Sequence, residues 1–153
     1  MLTSAAGYPL DTTYYQTVKG MVAPLDILAP GGNLIVASEC AQGIGSEEYR
    51  DAQRRLLTSG IDGFFADISQ RTHARIDEWQ TQMQLKPMRR GAVHLYTTGL
   101  RGEDRSLTGV NMIDSIPAAA LECTRASGAN DIAVIPEGPY VVPVYRPANL
   151  AAV

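Results

Sequence analysis

"NLIVASECAQGIGSEEYRDAQRRLLTSG", residues 33–60, decides the fold. Its first eight residues are mostly apolar with a β-branched centre, the pattern of a buried strand. "AQGIGS" then turns the chain. Ser46 is placed to cap a helix, Glu47 and Glu48 suit its first turn, and Gly60 supplies a stop. A strand passing through a glycine loop into a capped helix opens a strand–helix–strand unit. Such units build parallel sheets, and ligands usually sit at the carboxyl ends of their strands.

Reading outward from this unit extends the pattern. Towards the N-terminus, "LDTTYYQTVKG" (10–20) reads as a short helix over 11–19, capped by Asp11 and ended by Gly20. A second helical piece over 23–28 tolerates Pro24 in its first turn, and "APGG" (29–32) is a turn. "MLTS" looks like the last residues of a strand, so the expectation is a domain cut from a longer protein or a misplaced start, the alternative being a ragged N-terminus followed by a loop. Towards the C-terminus, 61–70 reads as weakly helical. Residues 75–86 form a firmer helix that stops before Pro87, with Ile76, Trp79, Met83 and Gln80 on one face. "AVHLYTT" (92–98) is the next strand and 107–113 a third. Ser115 caps a helix that ends at Gly128, and "DIAVIPEGPYVVPV" (131–144) holds a fourth strand. The expected fold is α/β: three layers, with a mostly parallel sheet of four or slightly more strands flanked by helices, Rossmann-like.

Composition narrows the function classes. The chain has 153 residues, 45% hydrophobic and 19% charged, which suits one globular core. With 13 basic and 16 acidic residues the net charge is −3, so no positive field favours nucleic acid. No stretch approaches the ~20 apolar residues of a membrane span, and no basic-then-apolar leader opens the chain. Cys40 and Cys123 are far apart and outside any CxxC or Cys/His cluster. They read as reduced cysteines of a cytoplasmic protein, with no metal site.

Three features bear on chemistry. Tyr15, Gln16 and Lys19 lie at helical spacings that put a phenol, an amide and a cation on adjoining faces, a set able to hold a carboxylate and a hydroxyl. A lysine in a last helical turn also simply complements the dipole, and tyrosines pack half buried, so both readings stand. "GIGS" lacks the GxGxxG pattern, and the acidic pair after it competes with a phosphate for the helix dipole. His73 and His94 show no triad partner in the sequence, and Trp79 reads either as core or as a ligand-facing wall.

The first motif is the specific one. "TSAAGYPLDTTYYQTVKGM" resembles the segment opening the C-terminal domain of the nickel-pincer-nucleotide-dependent lactate racemase family, through Gly-Tyr-Pro-Leu-Asp, then Tyr-Gln, two residues, and Lys-Gly. "GGNLIVASECAQGIGSEEY", "DEWQTQM", "AVHLYTTGL" and "AVIPEGPYVVPV" continue the likeness along essentially the whole chain. The resemblance implies a 2-hydroxy-acid racemase or epimerase, in which a nickel-bearing pyridinium nucleotide takes a hydride from the α-carbon and returns it to either face. It assigns Tyr15, Gln16 and Lys19 to the substrate pocket, with Lys19 in the catalytic set as the carboxylate contact, and Trp79 to the cofactor. The family keeps its catalytic histidines, nickel ligand and cofactor-attaching lysine in an N-terminal domain. His73 and His94 match none of those positions. The expectation is a single domain over 1–153, inactive alone, whose partners are a small 2-hydroxy acid and the N-terminal racemase domain, in cis or in trans. Self-association through the exposed cleft face is a further expectation. The alternatives are a stand-alone module binding a small carboxylate or a nucleotide, and a structural domain that docks a partner.

Overall fold

A computed structural model describes residues 1–146. Five strands form one all-parallel sheet: β1 (Leu2–Ser4), β2 (Gly32–Ala37), β3 (Gly91–Tyr96), β4 (Asn111–Ile113) and β5 (Val134–Ile135), in the order β4-β3-β2-β1-β5. The short N-terminal strand is therefore interior, paired on both edges.

Register separates the two faces of the sheet. Thr3, Val36, Leu95 and Met112 align across one face; Leu2, Ile35, His94 and Asn111 align across the other. The first face is covered by α1 (Tyr14–Val22) and α3 (Glu78–Arg90), with α2 (Glu47–Ser69) against α3. Tyr14, Val18, Met21, Leu34, Val36, Val93, Leu95 and Tyr49 close into one apolar core there. The second face carries α5 (Ile116–Ser127), which crosses β2 and brings Cys123 near His94. A short helix α4 (Glu103–Leu107) precedes β4.

The α/β reading holds, with element ends displaced for physical reasons. Helix α1 starts at Tyr14, not 11, and runs through Gly20. Thr13, not Asp11, caps it: Thr13 Oγ1 accepts from the Gln16 N–H at 3.4 Å. Asp11 is turned to the strand ends, where its Oδ2 accepts from the Glu39 N–H at 3.4 Å. Gly60 does leave helical geometry (φ 70°, ψ 177°), but the chain resumes the helix beyond it as far as Ser69. Left-handed φ is cheap for glycine, so it serves as a kink as readily as a stop.

Pro87 lies inside α3, in its last turn, where it removes its own helical hydrogen bond and the helix ends three residues on, at Arg90. The buried face of α3 is Gln80, Thr81, Gln84 and Leu85, while Ile76 precedes the helix and is exposed. Polar side chains fill that face because they find partners. Gln53 Nε2 donates to Thr81 Oγ1 and Gln84 Oε1 at 3.1 and 3.0 Å, and Gln84 Nε2 donates to the Thr108 carbonyl at 2.7 Å. The strand expected over 107–113 is α4 followed by β4, and the strand within 131–144 is only two residues long.

Candidate functional site

Helix α1 is seated by the loop after β2. The Tyr14 and Tyr15 N–H groups donate to the carbonyls of Gly43 and Ile44, both at 2.9 Å. The Cys40 and Gln42 N–H groups donate back to the carbonyls of Asp11 and Thr12, at 2.9 and 2.7 Å. The first donors of α1, which a helix leaves free, are thus spent on the glycine loop rather than offered to an anion.

This clamp gives the adjacent tyrosines opposite roles. Tyr14 is fully buried, and its hydroxyl donates to the Thr108 carbonyl at 2.9 Å. Tyr15 is half-buried and points towards α3. Its ring meets Tyr49 edge-on at 5.1 Å between centroids, and Trp79 edge-on at 6.0 Å. Gln80 Nε2 donates to the Tyr15 carbonyl at 2.8 Å, tying α3 to α1 at the same level. Burial, then the negative Asp77, push the Tyr15 phenol above its ordinary pKa. It therefore remains a hydroxyl donor at neutral pH.

The start of α3, which presents Trp79, is pinned twice. Ser46 Oγ accepts from the Tyr49 N–H, capping α2, and donates to Asp77 Oδ2 at 2.5 Å. One hydroxyl therefore joins the caps of two helices. Beside it, the buried Glu78 carboxylate accepts from Arg55 and Arg71, and from the Arg75 N–H at 3.1 Å. Burial pushes that carboxyl up, but the two arginines and the backbone donor outweigh it and bring its pKa down to about 2.

Two shallow concavities flank the touching rings. Tyr15 lines one with Thr13, Gln42, Gly45, Ser46 and Asp77. Trp79 lines the other with Arg71, His73, Glu78 and Gln82. Trp79 is 48% exposed, so it is not a core residue. Lys19 is exposed in the last turn of α1 and borders neither hollow, and Gln16 is half-buried on the same helix. The structure thus brings Tyr15 and Trp79 together beside the 40–46 loop, with Lys19 one helical turn further on.

His94 sits on the opposite face of the sheet, where Nε2 is 3.0 Å from Asn33 Oδ1 and burial lowers its pKa. His73 is exposed beside Trp79, and its Nδ1 is 2.8 Å from Thr72 Oγ1. The sequence reading set His73 aside, placed Ser46 only as a helix cap, and missed Asp77 and its bond to Ser46. The only signal for Asp77 was its position just ahead of the tryptophan helix.

No helix among the described residues is long and apolar enough to cross a membrane. Among the same residues there is no group of three or more His, Cys, Asp or Glu side chains able to hold a metal ion.

Comparison with known proteins bears on the family and the fold. The chain is similar to a lactate racemase from Thermoanaerobacterium thermosaccharolyticum, 38% identical over 77 residues, which is 44% of this chain and 18% of that protein. Its fold is similar to the lactate racemase apoprotein structure from the same organism. There the TM-score is 0.77 and the identity 26%, covering 95% of this chain and 35% of that one. The chain thus spans about a third of that structure and less than a fifth of that sequence. Residues 1–143 match the family described as the lactate racemase C-terminal domain, and the chain belongs to that family.

Proposed function

We propose that this chain supplies one wall of a 2-hydroxy-acid racemase or epimerase site, and that an N-terminal racemase domain supplies the other. The observation carrying this reading is the Tyr15–Trp79 contact. Two aromatic rings from different helices meet edge-on and leave the indole half exposed. A core tryptophan would be covered, whereas a wall facing a ligand has this form. Lys19 is the charged contact for a substrate carboxylate, and Tyr15 and Gln16 supply hydrogen bonds to the hydroxy acid.

The cofactor is a nickel-pincer nucleotide, which when bound accepts and returns a hydride at the α-carbon. The residues here fit its ring rather than its metal. The half-exposed indole of Trp79 would offer a flat apolar surface to a planar heterocycle. With such a ring in place, Trp79 and Tyr15 would together keep water from the side they cover. Two unpaired cysteines suit a cytoplasmic setting.

Docking of a partner is also favoured by a specific observation. Tyr8, Tyr140, Val142, Val144 and Tyr145 are exposed, at 62–86%. Exposed apolar side chains of this kind suit contact with the N-terminal domain, and the cleft face of Tyr15 and Trp79 suits a second copy when that domain is not joined. The test is lactate racemisation by this chain fused to the N-terminal part of a lactate racemase, with and without Lys19→Ala. Full activity in both proteins would remove Lys19 from the site. No activity in a folded, cofactor-loaded fusion would remove the racemase reading.

A further inference from the structure

The hollow beside Tyr15 has a volume of about 410 Å³ and lies between the glycine loop and the start of α3. Thr13, Gln42, Ser46 and Asp77 give it a polar lining, and no cationic side chain among the described residues lines it. Gln42 spends its backbone N–H on the Thr12 carbonyl and leaves its side-chain amide exposed.

Asp77 is the unusual member of this lining. An aspartate just ahead of a helix ordinarily caps it, but the Asp77 side chain makes no bond to α3. The residue stands at φ 58° and ψ −2°, a left-handed conformation uncommon outside glycine. Its Oδ2 accepts from the Ser46 hydroxyl at 2.5 Å. Asp77 is only half-buried, and its second oxygen, Oδ1, keeps accessible surface at the hollow. The Tyr15 phenol feels that charge: after burial, Asp77 is the next cause raising its pKa.

One carboxylate oxygen of fixed bearing, a primary amide and hydroxyls are the donors and acceptors that a sugar needs. Phosphates and carboxylates are repelled by Asp77. In Rossmann-like domains an acidic side chain beyond the glycine loop is the usual acceptor for a ribose 2′-hydroxyl.

We propose that this hollow binds the vicinal hydroxyls of the ribose of a pyridinium nucleoside. Asp77 Oδ1 accepts from one hydroxyl and the Gln42 amide bonds the other. The ring then lies towards Tyr15 and Trp79, the latter two residues beyond Asp77. The identity of the ring rests on the racemase reading; the contact with the sugar rests on the hollow.

The experiment is a titration of the 15N-labelled 153-residue chain with nicotinamide riboside. It is read by the amide shifts of Gly45, Ser46 and Asp77 and by quenching of Trp79 emission. Saturable shifts with quenching are expected. The 2′-deoxy analogue should need about tenfold more ligand for half-saturation, having lost one hydrogen bond to a charged acceptor. Asp77→Asn keeps an oxygen for Ser46 and a residue that tolerates left-handed backbone. It should weaken the riboside about tenfold and remove its advantage over the deoxy analogue. Gln42→Ala, an exposed change that leaves the fold in place, should weaken it severalfold. Nicotinamide mononucleotide should bind no tighter than the riboside. Methyl ribofuranoside, which has the diol and no ring, should bind more weakly and leave Trp79 unquenched. Equal half-saturation by the deoxy analogue, tighter binding of the mononucleotide, absence of saturation, or unchanged binding in both variants overturns the proposal. Equal binding of methyl ribofuranoside overturns the nucleoside assignment. Inactivity of the folded, cofactor-loaded racemase fusion with this binding intact removes the racemase reading alone, and an active fusion without the binding removes the ribose site alone.

Discussion

Tyr15 and Trp79 meet with their ring planes at 89° and their centroids 6.0 Å apart, although they come from helices separated by β2 and α2. Local helix geometry cannot produce that meeting. It requires the Gly43–Ile44 carbonyls to seat α1, and the Asp77–Ser46 contact to seat α3. Trp79 is the single tryptophan of the chain, so its fluorescence reports the contact directly. Its emission should be that of a half-exposed indole and be quenched by acrylamide. Tyr15→Leu should shift the emission with little loss of stability. Emission typical of a fully buried indole, unmoved by that substitution, would contradict the wall described here.

Lys19→Ala, tested in the two-domain enzyme, should lower kcat/KM by about 10² or more. It removes a charge-assisted contact worth ~1.5–3 kcal/mol, more where water is excluded. Lys19→Arg should restore only part of the loss, since a flat fork does not replace a compact ammonium. A lysine that merely complements the dipole of α1 would leave kinetics unchanged.

The purified 153-residue chain should not interconvert D- and L-lactate, even with the nickel cofactor supplied. Chiral chromatography of the reaction mixture measures this. Turnover proportional to protein concentration would place the whole reaction within this chain.

Stability should fall in acid through Glu78. Its carboxyl is held at about 2 in the folded chain against 4.5 when unconstrained. A lowered folded-state pKa gives stability that is complete above the unfolded value and is lost as pH falls towards the folded one. The window therefore runs from about pH 5 down to about pH 2, and the loss is on the order of 3 kcal/mol. Glu78→Gln should flatten that part of the pH–stability curve. It should also destabilise the chain at neutral pH, because Arg55 and Arg71 lose their shared partner. Urea midpoints measured across the window decide the matter. An unchanged slope in the variant would assign the acid sensitivity elsewhere.

Gly45→Ala should disturb the site rather than the core. Gly45 has φ 133°, and a Cβ there would lie 3.1 Å from the Tyr15 Cβ. Backbone strain and crowding together should cost ~1–3 kcal/mol. They should also move the Tyr15 ring, visible as altered Trp79 emission. A variant with native stability and native emission would show that the loop gives way freely.

The order of strands and helices could be read from 33–60 and its neighbours because burial and capping act locally. Ser46 and Ser115 cap their helices as their positions imply. Asp11 misled because an aspartate ahead of a helix has two uses, and the strand ends claimed it. The expected apolar face of α3 failed for a different reason. Gln80, Thr81 and Gln84 are buried by partners on α2, on α1 and before β4, and no window of sequence contains those partners. Tyr14 and Tyr15 are indistinguishable as letters, and only the packing of Tyr49 and Trp79 tells wall from core.

Helix α3 ends at Arg90 and strand β3 begins at Gly91, with no residue between them. A Cβ at Gly91 would run into the Gly32 carbonyl oxygen, so the junction has no sideways freedom either. Helical phase and strand pleat are thereby geared together. Inserting one residue at this junction would turn α3 by about 100° against the sheet or flip every side chain of β3 to the other face. Trp79 is thus mounted on a shaft without slack, its bearing around α3 indexed to the pleat of β3.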